Sequence, residues 1–363
     1  MKNNHQIRQN GGKPFIIPIF VMNSGCKHRC IFCNQKITAG NFPQVINRAY
    51  FENEVESYLS WHKDRSRWTE IAFYGGSFTN IEAAYQESLL SFAQKYLQAG
   101  LVQAIRISTR PDCLSTNILS LLKEYGVQTV EIGAQSFVDE VLKAAQRGHN
   151  ARTIEEAIRL LKSAGFQTGL HLMAGLPKDT QDGFIYSLNK TIELRPDLVR
   201  IHPVLVFRGT ELAEEYRQGN YRPLPLAEAV SLCRLAREKL SAAKIRVIRT
   251  GLQITKEMAE EGAVLAGPVH PAFGQLVLSA LFYEGTKKLL ENLSGEAQEL
   301  KFCIAERDAS NFRGIDNSNI KAIKELYQRA LIKVKTVPEQ KRGSISATVD
   351  QGLSLTMEIS GID

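Results

Sequence analysis

The chain has 363 residues, of which 44% are apolar, 23% charged and 8% aromatic. This globular balance excludes a disordered or fibrous protein and suits one large domain plus an appendage. Forty-five Lys and Arg against 38 Asp and Glu give a net charge of +7, which is compatible with nucleic-acid binding and equally with plain solubility. The longest early apolar stretch, 15–22, is interrupted by Pro18 and falls short of the roughly 20 residues a spanning helix needs. With a polar start and no signal-peptide pattern, a cytoplasmic protein with no membrane partner is expected.

In chain order, short apolar runs alternate with amphipathic segments. Strands are expected at residues 15–21, 70–74, 104–108, 129–133, 168–173 and 198–203. Several lack polar alternation, as strands buried on both faces do. Helices are expected between them at 49–62, 81–97, 117–125, 153–164 and 180–194. In one of these, Ile154, Ala157, Ile158, Leu160 and Leu161 mark a single buried stripe, and Gly165 ends it. Strand–helix units in series imply a parallel sheet with right-handed crossovers. Six units are fewer than the eight of a closed barrel. The expected α/β fold is therefore a partial (β/α)6 TIM-like barrel, with a doubly wound sheet as the alternative. Either fold puts the functional site at the carboxyl ends of the strands. From about residue 251 the rhythm changes to helical runs at 275–282 and 317–332, a strand at 299–304 and a hairpin from 344–349 and 353–359. The expected organisation is a core, 1–250, followed by a small α+β region, 251–363.

The cysteines are unevenly placed. Cys26, Cys30 and Cys33 crowd one segment, while Cys113, Cys233 and Cys303 are scattered. A disulfide framework would staple distant parts of a small secreted chain; three thiols this close read as metal ligation. They follow the first strand directly, on a loop at its carboxyl end. Thiolates favour zinc or iron–sulfur clusters. A zinc closed by His28 would need a tight Cys3His site that is awkward to close. A four-iron cluster on three cysteines leaves one iron open, and an open position is what a catalytic metal needs.

The C-x3-C-x2-C spacing, with Phe32 before the last Cys, resembles the radical S-adenosylmethionine superfamily. Further blocks follow the later strands in turn: Gly75-Gly76-Ser77, then Ser108-Thr109-Arg110-Pro111-Asp112, then Glu131-Ile132-Gly133-Ala134-Gln135-Ser136 with Arg147-Gly148-His149. Gly175-Leu176-Pro177 and the stretch from Pro203 to Thr210 complete the series. In this order they resemble the radical domain of the Elongator catalytic subunit, over roughly residues 15–250. The resemblance implies a [4Fe–4S] cluster on Cys26, Cys30 and Cys33. It implies S-adenosylmethionine held by Phe32, Gly75, Gly76, Ser108, Arg110, Gln135, Arg147 and His171. Within that set the Gly-Gly backbone would meet the methionine amino group, where a Cβ would block approach. Gln135 would bond the ribose and Arg147 would grip the carboxylate. On the residues alone, plainer readings stand beside these: an ordinary turn, a surface salt bridge or helix cap and, for His171, a satisfied core histidine. Many relatives have an acidic residue where Ser77 or Ser108 stands.

The implied chemistry is reductive cleavage of S-adenosylmethionine to a 5′-deoxyadenosyl radical, which takes hydrogen from a substrate. The implied partners are an electron donor such as flavodoxin or ferredoxin, and tRNA with a wobble uridine as the reacting base. His5, Arg8, Lys13, Lys27, His28 and Arg29, and the patch Lys63, Arg65 and Arg67 between Trp61 and Trp68, fit a nucleic-acid backbone and a solvated face alike. One alternative is an enzyme like the oxygen-independent coproporphyrinogen oxidases, which carry a further Cys where Gln35 stands. Another is a cluster-bearing RNA-binding module without turnover. After residue 250 no Gly-rich acetyl-CoA loop is found, so acetyl transfer is not expected.

Overall fold

The computed structural model describes the chain apart from residues 1–12, 23, 24, 27, 41, 65, 292–296, 351, 353 and 363. Its first strands are β1 (Phe15–Val21), β2 (Thr69–Gly75), β3 (Ala104–Thr109), β4 (Val127–Gln135), β5 (Gln167–Ala174), β6 (Leu198–Pro203), β7 (Val206–Phe207), β8 (Arg246–Thr250) and β9 (Val264–Ala266). All but β7 and β9 form one seven-stranded sheet in that order, so β1 and β8 are free ends and the barrel is open. Strands β1 to β5 pair in parallel. The expected partial barrel stands, with one strand more than the sequence suggested. β8 escaped notice because it is short and two of its five residues are Arg.

Curvature follows from a single contact. Arg200 on β6 donates to the Tyr74 hydroxyl on β2 at 2.5 Å, four strand steps away. In a flat sheet those steps would separate the strands by about 19 Å, more than the two side chains span. The sheet is therefore curled, with this face inside. The opposite face carries Ile71, Phe73, Ile105, Ile107, Val130, Ile132, Leu170 and Leu172, all at most 1% exposed. Helices pack on that outer face. Asn47, Ser115, Asn150 and Thr180 each accept a backbone N–H from the first turn of the helix they precede, which fixes where each helix starts.

By internal contacts the chain divides into two units. One comprises Met1–Arg200, Val204–Pro223 and Ile254–Gly267; the other comprises Ile201–Pro203, Leu224–Gln253 and Pro268–Asp363. The second unit contains β10 (Glu299–Ile304), β11 (Leu331–Thr336), β12 (Ser344–Val349) and β13 (Ser354–Glu358), in the order β11-β10-β12-β13. β11 is parallel to β10, and the other pairs are antiparallel. Phe282, Leu300, Phe302, Phe312 and Ile345 lie in its core. The helix expected at 317–332 is only Ser318–Leu326, and the residues after it correct that reading. Ile332 and Val334 alternate with exposed Leu331, Lys333 and Lys335, a period of two that suits a strand, and the edge of β10 receives it. Among the described residues no helix is long and apolar enough to cross a membrane.

Candidate active site

The loop after β1 presents Cys26 exposed, with Cys30 and Cys33 half-buried. Its shape is set by an apolar anchor. Ile31 packs among Val141, Ala145, Leu176, Val206 and Leu212, with Phe32 partly buried against the same group. The Ile31 N–H donates to the Ala145 carbonyl at 3.3 Å, and its carbonyl accepts from Leu212 at 2.9 Å. Asn34 caps the helix Gln35–Ala39 and donates to the Arg208 carbonyl at 2.8 Å. On the other side Asn80 donates to the Gly25 carbonyl at 2.7 Å, which links the loop to the segment after β2.

That segment opens with the Gly-Gly pair. Gly75 takes φ +105°, and a Cβ there would lie 2.9 Å from the Val21 carbonyl oxygen. The Gly76 N–H donates to the same oxygen at 2.9 Å. Only glycine suits a turn this close to β1. Behind it Ser77 and Thr79, both buried, bond the Thr109 hydroxyl at 2.8 and 2.6 Å. Ser108, half-buried, stands in register with Glu131 of β4.

The end of β4 gathers the remaining predicted residues. Arg110 is buried and clamps Asp112 through two bonds of 2.9 and 3.0 Å, and it also donates to the Arg147 carbonyl. Arg147 is 5% exposed. Its Nη1 donates to Cys30 Sγ at 2.9 Å and its Nη2 to the Gly133 carbonyl. β4 slips register between Gly133 and Gln135, and Gln135 takes φ 74°. A Cβ on Gly133 would meet Gln135 Nε2 at 3.0 Å and Arg147 Nη2 at 3.2 Å. Arg110 Nη1, Arg147 Nε and both ring nitrogens of His149 are buried without a partner. The His149 ring is pushed down to about 3 by burial and then by Arg147 and Arg110.

The donor set suits a metal centre. Burial, then the neighbouring Cys30 and Cys26, push the Cys33 thiol up to about 12. Thiols that resist ionising together are deprotonated by a cationic core when it binds. Among the described residues no three His, Cys, Asp or Glu side chains converge on a single-ion cage. The His28 ring lies against Gly148 rather than closing a zinc site. A four-iron core makes a different demand, since each thiolate bonds its own iron.

Below these residues the concave face carries a charge network that the sequence reading missed. Glu131 of β4, 0% exposed, meets Arg106 of β3 at 2.7 Å, Arg200 of β6 at 2.6 Å and His171 of β5 at 2.6 Å. Tyr74 of β2 donates to it at 3.2 Å. Arg106 also pairs with Glu70 of β2 at 2.6 Å. Burial opposes the Glu131 charge, but Arg200 and Arg106 hold its carboxyl well below the usual range. Burial lowers His171 against the pull of Glu131, which favours the neutral imidazole. The signal was present in the sequence: Glu70, Arg106, Glu131 and Arg200 each interrupt an apolar strand.

The basic–aromatic patch lies elsewhere. Lys63, Arg67 and Trp68 precede β2, at the amino ends of the strands, one full strand length from the cysteine loop. Arg67 is already used, donating to the Lys13 and Pro14 carbonyls at 2.6 and 3.3 Å, and Trp68 bonds Glu70 at 2.9 Å. Trp61 is 68% exposed. His5, Arg8, Lys27 and Arg65 lie outside the described residues. At the carboxyl ends, Arg29, Lys178 and Arg208 are exposed on three different loops.

Residues 20–190 match the Radical SAM superfamily, and residues 196–282 match the Radical_SAM C-terminal domain. The chain is similar to a tRNA uridine(34) acetyltransferase of Methanocaldococcus infernus, 30% identical over 260 residues, covering 61% of this chain and 49% of that protein. It is 34% identical over 145 residues to Elongator complex protein 3 of Homo sapiens, covering 39% of this chain and 26% of that protein. It thus spans about half of the first relative and a quarter of the second. A solved structure of M. infernus Elp3 with an N-terminal deletion shares the fold at TM-score 0.56 and 22% identity, covering 76% of this chain and 64% of that one. The two matched segments run from the end of β1 to residue 282, past β9, and together fill more than two thirds of the sequence. On that ground the chain belongs to the radical SAM superfamily and is an enzyme of that class, whose members work with a [4Fe–4S] cluster and S-adenosylmethionine.

Proposed function

We propose that Cys26, Cys30 and Cys33 hold the cluster, that S-adenosylmethionine lies over the carboxyl ends of β2 to β5, and that the substrate is tRNA with a wobble uridine as the reacting base. When bound, the cluster and S-adenosylmethionine supply one-electron cleavage of a carbon–sulfur bond and hydrogen abstraction from substrate, with electrons from a flavodoxin- or ferredoxin-like donor. The chain's own residues bind and orient. Gly75 and Gly76 make the turn that would present backbone carbonyls to the methionine amino group, the Gly76 N–H being taken by Val21. Arg110 and Arg147 offer unpartnered N–H groups to an anion. Gln135 is aimed by the β4 register slip, toward the ribose in this reading. Ser108 and His171 line the concave face beneath, and Phe32 covers the cysteine loop.

The tRNA reading is carried by the 260-residue likeness to a protein named for uridine 34 of tRNA. The exposed cations Arg29, Lys178 and Arg208 around the same end of the barrel support it. Filter binding of tRNA across a salt series tests it, since each phosphate contact contributes a log–log slope of roughly −0.7 to −0.9. Replacing those three residues by Ala should flatten the slope by about two units. Absence of tRNA retention at low salt overturns this reading and points to a small-molecule substrate. Formation of 5′-deoxyadenosine on reduction tests the radical chemistry separately.

A further inference from the structure

We infer that Arg147 acts on the cysteine-bound centre itself, by donating a hydrogen bond to the Cys30 sulfur that raises the reduction potential of the cluster. This rests on the cluster reading above. The contact joins residues 117 apart in sequence, Nη1 to Sγ at 2.9 Å, and the guanidinium is held at both terminal nitrogens. Its Nη2 is held by the Gly133 carbonyl, in a slot that exists because residue 133 has no side chain. Its own carbonyl is held by Arg110, which Asp112 clamps in turn. A group only 5% exposed is weakly screened by water, so its charge acts on the sulfur at low effective dielectric.

The physical consequence has one sign. Reduction adds one electron, and so one negative charge, to a centre whose charge spreads onto its thiolate ligands. A buried cation and an N–H···S bond stabilise the reduced form more than the oxidised form. Hydrogen bonds to cluster sulfurs and buried charge are among the levers that set iron–sulfur potentials. Arg147 is thus a positioning and tuning residue acting through Cys30, whether or not its free Nε also meets the cofactor.

The test is an EPR-monitored redox titration of the reconstituted full-length protein without S-adenosylmethionine, alongside iron content and calorimetric binding of the cofactor. Arg147→Gln should move the midpoint to a more negative potential at normal iron content. Arg147→Lys, which keeps the charge but loses the fork, should fall between it and wild type. Gly133→Ala keeps Arg147 but crowds its Nη2, and should shift the midpoint in the same direction. If Arg147→Gln does not take up iron, the other two variants decide. A midpoint unchanged in the variants that hold iron, with cofactor affinity lowered, assigns Arg147 to the cofactor alone and overturns the inference. A wild-type protein that forms no cluster overturns the cluster reading as well.

Discussion

Glu131→Gln tests whether the network on the concave face holds the barrel in its curl. Glu131 has no solvent exposure and faces Arg106, Arg200 and His171 at 2.6 to 2.7 Å. A carboxylate offers acceptors on both oxygens, whereas a glutamine amide offers one acceptor and an NH2 that can only donate. Whichever way the amide turns, an N–H faces a guanidinium or the imidazole. Arg106 keeps Glu70 as a partner, but Arg200 loses the carboxylate it pairs with. Removing one partner of a buried ion pair costs about 3–5 kcal/mol, a large share of the roughly 5–15 kcal/mol that holds a domain folded. Urea denaturation followed by circular dichroism measures the loss as a lowered midpoint with the slope retained. A second change should recover part of it: Glu131→Gln with Arg200→Met removes the stranded cation, so the double variant should be more stable than the sum of the single effects predicts. A loss below about 1 kcal/mol, or strict additivity in the double variant, would show that the network contributes little and refute the reasoning.

Two further outcomes are expected. Replacing Cys26, Cys30 or Cys33 by Ala should abolish the brown absorbance of the reconstituted protein, while a triple change of Cys113, Cys233 and Cys303 should keep it; loss of iron from that triple variant would overturn the ligand assignment. Asp179→Asn should raise stability at alkaline pH. One carboxylate oxygen of Asp179 accepts from the Thr180 N–H at 3.0 Å, the other is buried without a partner, and burial pushes the group from 3.8 to about 6. The folded state therefore binds this proton more tightly than the unfolded chain, and the wild type loses stability as pH rises from about 4 past 6. Thermal melts should show variant and wild type close at pH 4 and separated at pH 8; a gap that does not widen with pH would count against the assignment.

The sequence by itself determined the strand–helix series, the open barrel and the order of the blocks along its carboxyl end. Each of these is a local pattern. Period-two and period-3.6 apolar spacing fixed the elements, and three cysteines after β1 marked the loop. Glycines stand where Gly75 turns against Val21. Tertiary structure decided what lies far apart in sequence. Nothing local announces that Arg147 reaches Cys30, since 117 residues intervene. Nor could Glu70, Arg106, Glu131 and Arg200 be joined before the curl brought β2 within reach of β6. In the sequence the patch around Lys63 and Trp68 fits a nucleic-acid backbone and a solvated face alike, with nothing local to say which end of the barrel it occupies. Strand direction places it at the opposite end, where Arg67 ties down the start of β1. β11 became a strand rather than the end of a helix because β10 offered it a row of backbone partners. A pairing partner, unlike a period, is not written in the residues it selects.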